Sequence, residues 1–205
     1  MHILGFINKN LPILFVALLL LMPFPAHSSS DEANEFVKDL GDKVLAIIKN
    51  KKFNDSKKEA ELISLFEQHV DTKWMSNFVL GRYSRSATKE QLEEYQKLYH
   101  TYLIYSYVPK FKRYTGESFY IIKVDDNGDD EYMVRSKLER SPSEPEVRVD
   151  YRLYQNGSGF KVRDIVGEGV SLINTQRSDF GGMISQKGMG YFIEKLEFKV
   201  KNLTS

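Results

Sequence analysis

The chain contains no cysteine. Disulfides, thiolate nucleophiles and cysteine-ligated metals are therefore excluded, and stability has to come from packing. Histidine is scarce as well: of four in the chain, only His69 and His100 lie beyond residue 28. They fall on different expected helices with no His or Cys at metal-ligand spacing, so both read as ordinary helix positions and no zinc site is expected. No nucleophile-elbow motif joins them to suggest a serine triad. Charge of one sign is missing too. Without the first 28 residues, which hold Lys9, the remainder carries 28 basic and 28 acidic residues. That balance predicts neither nucleic-acid binding nor strong attraction to an anionic membrane.

Long apolar runs are absent with one exception. Lys9 is followed by an apolar stretch from Leu11 to Met22, then Pro23, Pro25 and the small residues around Ser28. This order predicts a secretory signal peptide over residues 1–28. The run falls short of the roughly 20 residues a membrane-spanning helix needs, and no basic stop-transfer cluster follows. Residues 29–205 are expected to form a single exported, soluble domain, long enough to bury a real core.

In that domain the apolar period is first helical. Phe36, Leu40, Val44, Ile47 and Ile48 predict an amphipathic helix with acids early and lysines late. Ser56 to Glu59 reads as a capping box for a second helix bearing Leu62, Ile63, Phe66 and Val70. Asp71 is placed to cap a short third helix, and Gly81 to end it. Thr88 to Gln91 is another capping box, opening the longest helix, with Pro109 as its kink or stop. That helix is rich in tyrosine, with Tyr95, Tyr99 and Tyr102 on one seam.

The period then changes. Residues 119–124, 132–140, 146–154 and 160–166 are rich in β-branched and aromatic residues, and predict a four-stranded antiparallel meander with turns at Asn127-Gly128 and Asn156-Gly157. On the third strand Val147, Val149, Tyr151 and Leu153 are assigned to the core face, and Arg148, Asp150 and Arg152 to a polar one. Helical spacing returns through Phe180 and Ile184 and again from Tyr191 to Val200. The expected fold class is α+β, with several helices covering one face of the sheet.

Three polar constellations call for simple readings. Asp125 to Asp130 superficially resembles a calcium loop, but its sixth position is Asp130 instead of glycine and its twelfth is Ser136 instead of glutamate, so it reads as a solvated turn. Gly157-Ser158-Gly159 lies between strands and cannot cradle a phosphate at a helix N-terminus. Asp150, near Arg135, Lys137, Arg148 and Arg152, reads as a cross-strand ion pair on a wet sheet face. What is distinctive is the supply of large apolar and aromatic side chains. A filled core and a carrier pocket draw on the same residue types, so periodicity does not separate them.

Residues from Phe66 onward carry a family resemblance. Val70-Asp71, Met75, Phe78-Val79-Leu80-Gly81-Arg82-Tyr83, Arg85, Ala87-Thr88 and Glu90-Gln91 come first. They are followed by Tyr114-x-Gly116-Glu117, Val149 to Leu153, Lys161-Val162-x-Asp164 and Glu168 to Leu172, then by Arg177 and Phe180. In this order they closely resemble the MlaC family, also called the toluene-tolerance family of periplasmic phospholipid-binding proteins. Ser84 and Phe160 depart from it, standing where many members carry tryptophan.

The resemblance implies a cystatin-like or nuclear-transport-factor-like roll with added helices around a hydrophobic pocket. It implies a periplasmic, monomeric carrier that maintains outer-membrane lipid asymmetry and needs no cofactor, with phospholipid as its cargo. The implied partners are an outer-membrane lipoprotein-porin complex and an inner-membrane ABC transporter with an MCE-domain subunit. The lipid-lining residues expected on this reading are Phe78, Val79, Tyr99, Tyr102, Leu103, Val134, Val149, Tyr151, Val166, Val170 and Leu172. Val170→Glu is expected to abolish lipid retention by burying a charge. Two rivals stand beside it: a small-molecule enzyme using Asp150 or Asp164 as base, and an interaction module whose aromatic helix packs a partner.

Overall fold

The computed structural model describes residues 29–111, 118–139 and 145–205. The expected signal peptide, the motif at Tyr114, Gly116 and Glu117, and Arg140 at the expected end of the second strand lie outside these residues.

Four helices come first. α1 (Ser29–Lys49) opens with Asp31 and Glu32 and closes on Lys49, as the helix dipole favours. α2 (Asp55–His69) starts earlier than the Ser56 capping box implies. Asn54 is the cap, its side-chain oxygen accepting from the Lys57 backbone N–H at 2.8 Å, so Ser56 already lies inside the first turn. α3 (Thr72–Leu80) is capped by Asp71, which accepts from the Trp74 N–H at 3.2 Å. It ends at Gly81, whose φ of 53° suits glycine, and runs into a 3-10 turn, Gly81–Arg85. α4 (Lys89–Phe111) begins with the expected reciprocal pair: the Gln91 N–H donates to Thr88 Oγ1 at 3.2 Å, and the Thr88 N–H to Gln91 Oε1 at 3.1 Å. Pro109 does not stop this helix but sits within its last turn.

Among the described residues the sheet has five strands, not four: β1 (Ser118–Asp126), β2 (Glu131–Glu139), β3 (Val147–Asn156), β4 (Gly159–Gly167) and β5 (Val170–Ser171), all antiparallel and in sequence order. The added strand arises because Glu168 and Gly169 both take positive φ and fold the chain back on β4, pairing Gly167 with Val170. The β1–β2 connection is longer than a two-residue Asn-Gly turn, since Gly128, Asp129 and Asp130 are all left-handed. The β3–β4 connection is a two-residue one, with Asn156 paired to Gly159. Two register shifts, at Ile121/Lys123 and at Arg152/Leu153, bend the ladder.

α5 (Leu172–Lys187) and α6 (Met189–Thr204) follow, separated at Gly188. α1 lies over β1 and β2, while α2, α3 and α5 meet β4. The described residues therefore form one core between α1 and the sheet, around Val37, Val134, Leu153 and Val162, a second among α3, α4, α5 and α6, around Tyr95, Tyr99, Ile173 and Phe192, and a smaller third between α2 and α4, around Leu62, Ile104 and Val108. Phe160 fills its place in the first core against Phe36 and Tyr132, at ring separations of 5.7 and 5.5 Å. Among the described residues no helix is long and apolar enough to cross a membrane.

Candidate functional site

Among these three cores the packing opens. α1 contributes Leu40 and Val44, α2 contributes Leu62, Leu65 and Phe66, and α4 contributes Leu103, Tyr107 and Phe111 to a hollow closed by Tyr151, Val162 and Ile165 of the sheet. Val70, Met75 and Leu172 complete its apolar wall. The open space inside is about 90 Å³. Next to it a groove of about 560 Å³ runs between α1 and β1, past Val37, Phe119 and Leu138. Hollow and groove share Leu40, Val44, Phe111 and Tyr151, so the two adjoin as the inner and outer parts of one trough. Its outer rim carries Lys38, Asp42 and Lys49.

The trough exists because three helices meet the sheet without filling it. The α2–α3 junction is tied down by polar links: the Asp71 N–H donates to the Val162 carbonyl at 2.9 Å, and Arg163 Nε donates to Asp71 Oδ2 at 3.0 Å. Arg163 is itself held between the rings of Tyr154 and Trp74, with its guanidinium 3.5 and 4.6 Å from their centroids. α5 starts against β4 through Asp164, fully buried, which accepts from Ser171 Oγ at 2.6 Å and from the Ile173 N–H at 3.2 Å. These bonds fix the ends of the wall, and the apolar residues between them leave the space.

Three polar groups at the hollow are shifted toward neutrality. Burial pushes the Tyr151 hydroxyl up to about 12. It does the same for Tyr107, also to about 12, with the neighbouring Tyr102 adding to the rise and a hydrogen bond with Gln176 opposing it. His69 is lowered from 6.5, first by burial and then by Lys43 and Lys161, with Asp39 acting the other way. Neutral Tyr107, Tyr151 and His69 suit an apolar ligand, because each of these groups would pay desolvation if ionised there.

The expected lining residues divide sharply. Leu103, Tyr151 and Leu172 face the hollow. Tyr99 and Tyr102 do not. They pack into the helical core against Phe180, and the Tyr99 hydroxyl donates to Gln176 Oε1 at 2.6 Å. Phe78 stacks on Trp74 with ring centroids 5.1 Å apart, and Val79 is buried in the same core. Val134 belongs to the core under α1, while Val149 and Val166 lie within strands away from both spaces. Val170 is 62% exposed, being in the short edge strand, so a charge there would not be buried as expected. The α1 and α2 positions were already legible as apolar faces. What sequence alone could not supply was which of several such faces would oppose the sheet.

The two carboxylates of the enzyme rival have structural partners. Asp164 caps α5 as described. Asp150 is only 2% exposed, which corrects the wet-face reading. It receives Arg148 Nε at 3.0 Å, Arg135 Nη1 at 3.3 Å and the Ser136 backbone N–H at 3.2 Å, so the expected ion pairing is present but sealed. Among the described residues no cluster of three or more His, Asp or Glu could hold a metal ion.

Comparisons with known proteins agree with this architecture. The "Intermembrane phospholipid transport system binding protein MlaC" of Haemophilus influenzae is 24% identical over 132 residues, covering 63% of this chain and 62% of its own length. The chain thus matches about three-fifths of that curated relative. A solved phospholipid-binding protein from Ralstonia solanacearum, in complex with a phospholipid, superposes with a TM-score of 0.70 at 26% identity, covering 82% of this chain and 97% of its own. The model of the MlaC protein family matches residues 38–198. With that match spanning most of its length, the chain belongs to the MlaC family.

Proposed function

We propose that this protein is a phospholipid carrier that takes acyl chains into the trough between α1, α2, α4 and the sheet. The observation that carries the reading is that an apolar hollow adjoins the α1–β1 groove across Leu40, Val44, Phe111 and Tyr151. Supporting it are the relative named for intermembrane phospholipid transport and the structural neighbour solved with a phospholipid.

The physical need is plain. Each methylene moved from bilayer to water costs about 0.8 kcal/mol, so a chain of roughly sixteen carbons costs on the order of 12 kcal/mol. An apolar trough removes most of that barrier. The inner hollow, about 90 Å³, is smaller than the roughly 150 Å³ cavity that admits benzene. The groove therefore takes the first part of a chain, and the tail spreads α1 and α2 from the sheet as it enters. The phosphate remains in water near Lys38 and Lys49.

On this reading residues 1–28 direct export to the periplasm, and the carrier moves lipid between an outer-membrane lipoprotein-porin complex and an inner-membrane MCE-type ABC transporter. It makes and breaks no bond. Organic extraction of the purified protein followed by mass spectrometry tests it: near-stoichiometric phospholipid is expected, and lipid-free protein that also fails to take up lipid from vesicles contradicts it.

A further inference from the structure

A second concave site lies apart from the trough, between the 3-10 turn Gly81–Arg85 and α5. It encloses about 540 Å³ and shares no lining residue with either part of the trough. We propose that this cleft is a docking site for an acidic peptide segment of a partner protein, a role that goes beyond lipid carriage.

Its lining includes two arginines, Arg82 and Arg177, with Tyr83, Asn174, Ser178 and Ser185, and no carboxylate. Both guanidiniums are held before any ligand arrives. Arg177 Nη1 donates to the Phe78 carbonyl at 2.8 Å, and its guanidinium lies 4.8 Å from the Phe78 ring. Gly81 makes this possible, since a Cβ there would come within 2.8 Å of Arg177 Nη2. Arg82 Nη2 donates to the Tyr83 hydroxyl at 3.0 Å, with its guanidinium 5.0 Å from that ring. The Tyr83 ring rests against Gly181, where an added Cβ would meet it at 3.4 Å. Each arginine carries five N–H donors, so these contacts orient the forks without exhausting them. Fixing the side chains in advance lowers the ordering cost of binding.

Shape selects the occupant. Two exposed guanidiniums in a concave cleft receive a carboxylate that projects into it. A flat bilayer surface meets convex basic faces more readily. The cleft is also joined to the trough by the same two helices, with Met75 and Leu172 at the hollow and Leu80 and Arg177 at the cleft, so a partner can engage it while lipid is in place.

The test is an NMR titration of the isotope-labelled, lipid-containing protein with a hexaglutamate peptide, with phosphatidylglycerol vesicles as a second arm. Expected is saturable perturbation of amides in residues 81–85 and 174–185, weakened about tenfold or more by Arg82→Glu, with lipid content and circular dichroism unchanged. Perturbation spread over other basic surfaces, or insensitive to Arg82→Glu, overturns the proposal. So does stronger binding of the vesicles at these same residues, which would assign the cleft to a membrane. Lipid content measured on the same samples keeps a failure here separate from a failure of the carrier reading.

Discussion

The two flanks of α4 are made of the same kinds of residue, yet one is solid and the other hollow. On one flank Tyr95, Tyr99 and Tyr102 meet Phe180 and Phe192, with ring centroids from 4.9 to 6.4 Å apart along that seam. Two of the hydroxyls are spent inside: Tyr95 on the Ser76 carbonyl at 3.0 Å, and Tyr99 on Gln176. On the other flank Leu103, Tyr107 and Phe111 look into the trough. The difference lies in what comes to meet the helix. α5 and α6 close on α4 with large rings, whereas α2 meets it through Leu62, Ile104 and Val108 and leaves Leu103, Tyr107 and Phe111 facing a space before the sheet. Apolar composition thus indicates that a surface is covered, and tertiary arrangement decides whether it is filled.

Substitutions on the two sides should separate accordingly. The largest effect is expected on the solid flank. Tyr99→Ala removes a fully buried ring and takes from Gln176 Oε1 the hydroxyl that donates to it, and should cost about 3–5 kcal/mol in chemical denaturation. A loss below about 1 kcal/mol would mean that this flank is not the rigid one. Asp164→Ala, at the border between core and trough, strands the Ile173 N–H and the Ser171 hydroxyl and should cost about 2–3 kcal/mol. If Asp164 instead served as a catalytic base, its removal would leave stability nearly intact.

Smaller effects sharpen the trough side. The His69 pKa is lowered in the folded protein, so the unfolded chain binds a proton first as pH falls. Stability contributed by neutral His69 is therefore present above about 6.5 and is lost as pH drops from there through the lower folded value. Thermal melts should show this slope in the wild type and a shallower one in His69→Gln; equal slopes would remove His69 from the account. Smallest of all is Val170→Glu. At this exposed edge position it should change stability by less than about 0.5 kcal/mol and leave lipid content as it was. Loss of lipid would show that Val170 reaches the ligand after all.

Much of the fold was legible. Asp71 and Thr88 cap their helices as their side-chain oxygens predict, and the strand segments fall where β-branched residues cluster. Local bonding governs those features, and local sequence encodes it. β5 was not legible because two residues carry no periodicity, and it depends on the backbone reversal at Glu168 and Gly169. Of the expected lining, Leu103, Tyr151 and Leu172 lie on the hollow, while Tyr99 and Tyr102 lie in the helical core. Tyrosines at helical spacing say that a face is buried, and nothing in their spacing distinguishes a protein ring from an acyl chain as the neighbour. Leu40, Val44 and Phe66 were read as helix faces but not joined to the site, because their meeting with β3 and β4 spans long stretches of chain.

The central claim is the location of the acyl chain, and photocrosslinking tests it most directly. A phospholipid bearing a diazirine at its acyl terminus would be loaded into the protein, irradiated, and the adducts mapped by peptide mass spectrometry. Adducts are predicted within residues 40–44, 62–70 and 103–111 and at Tyr151. Adducts concentrated instead on residues 95–102 and 180–192 would place the lipid in the flank described here as solid, and would contradict the account.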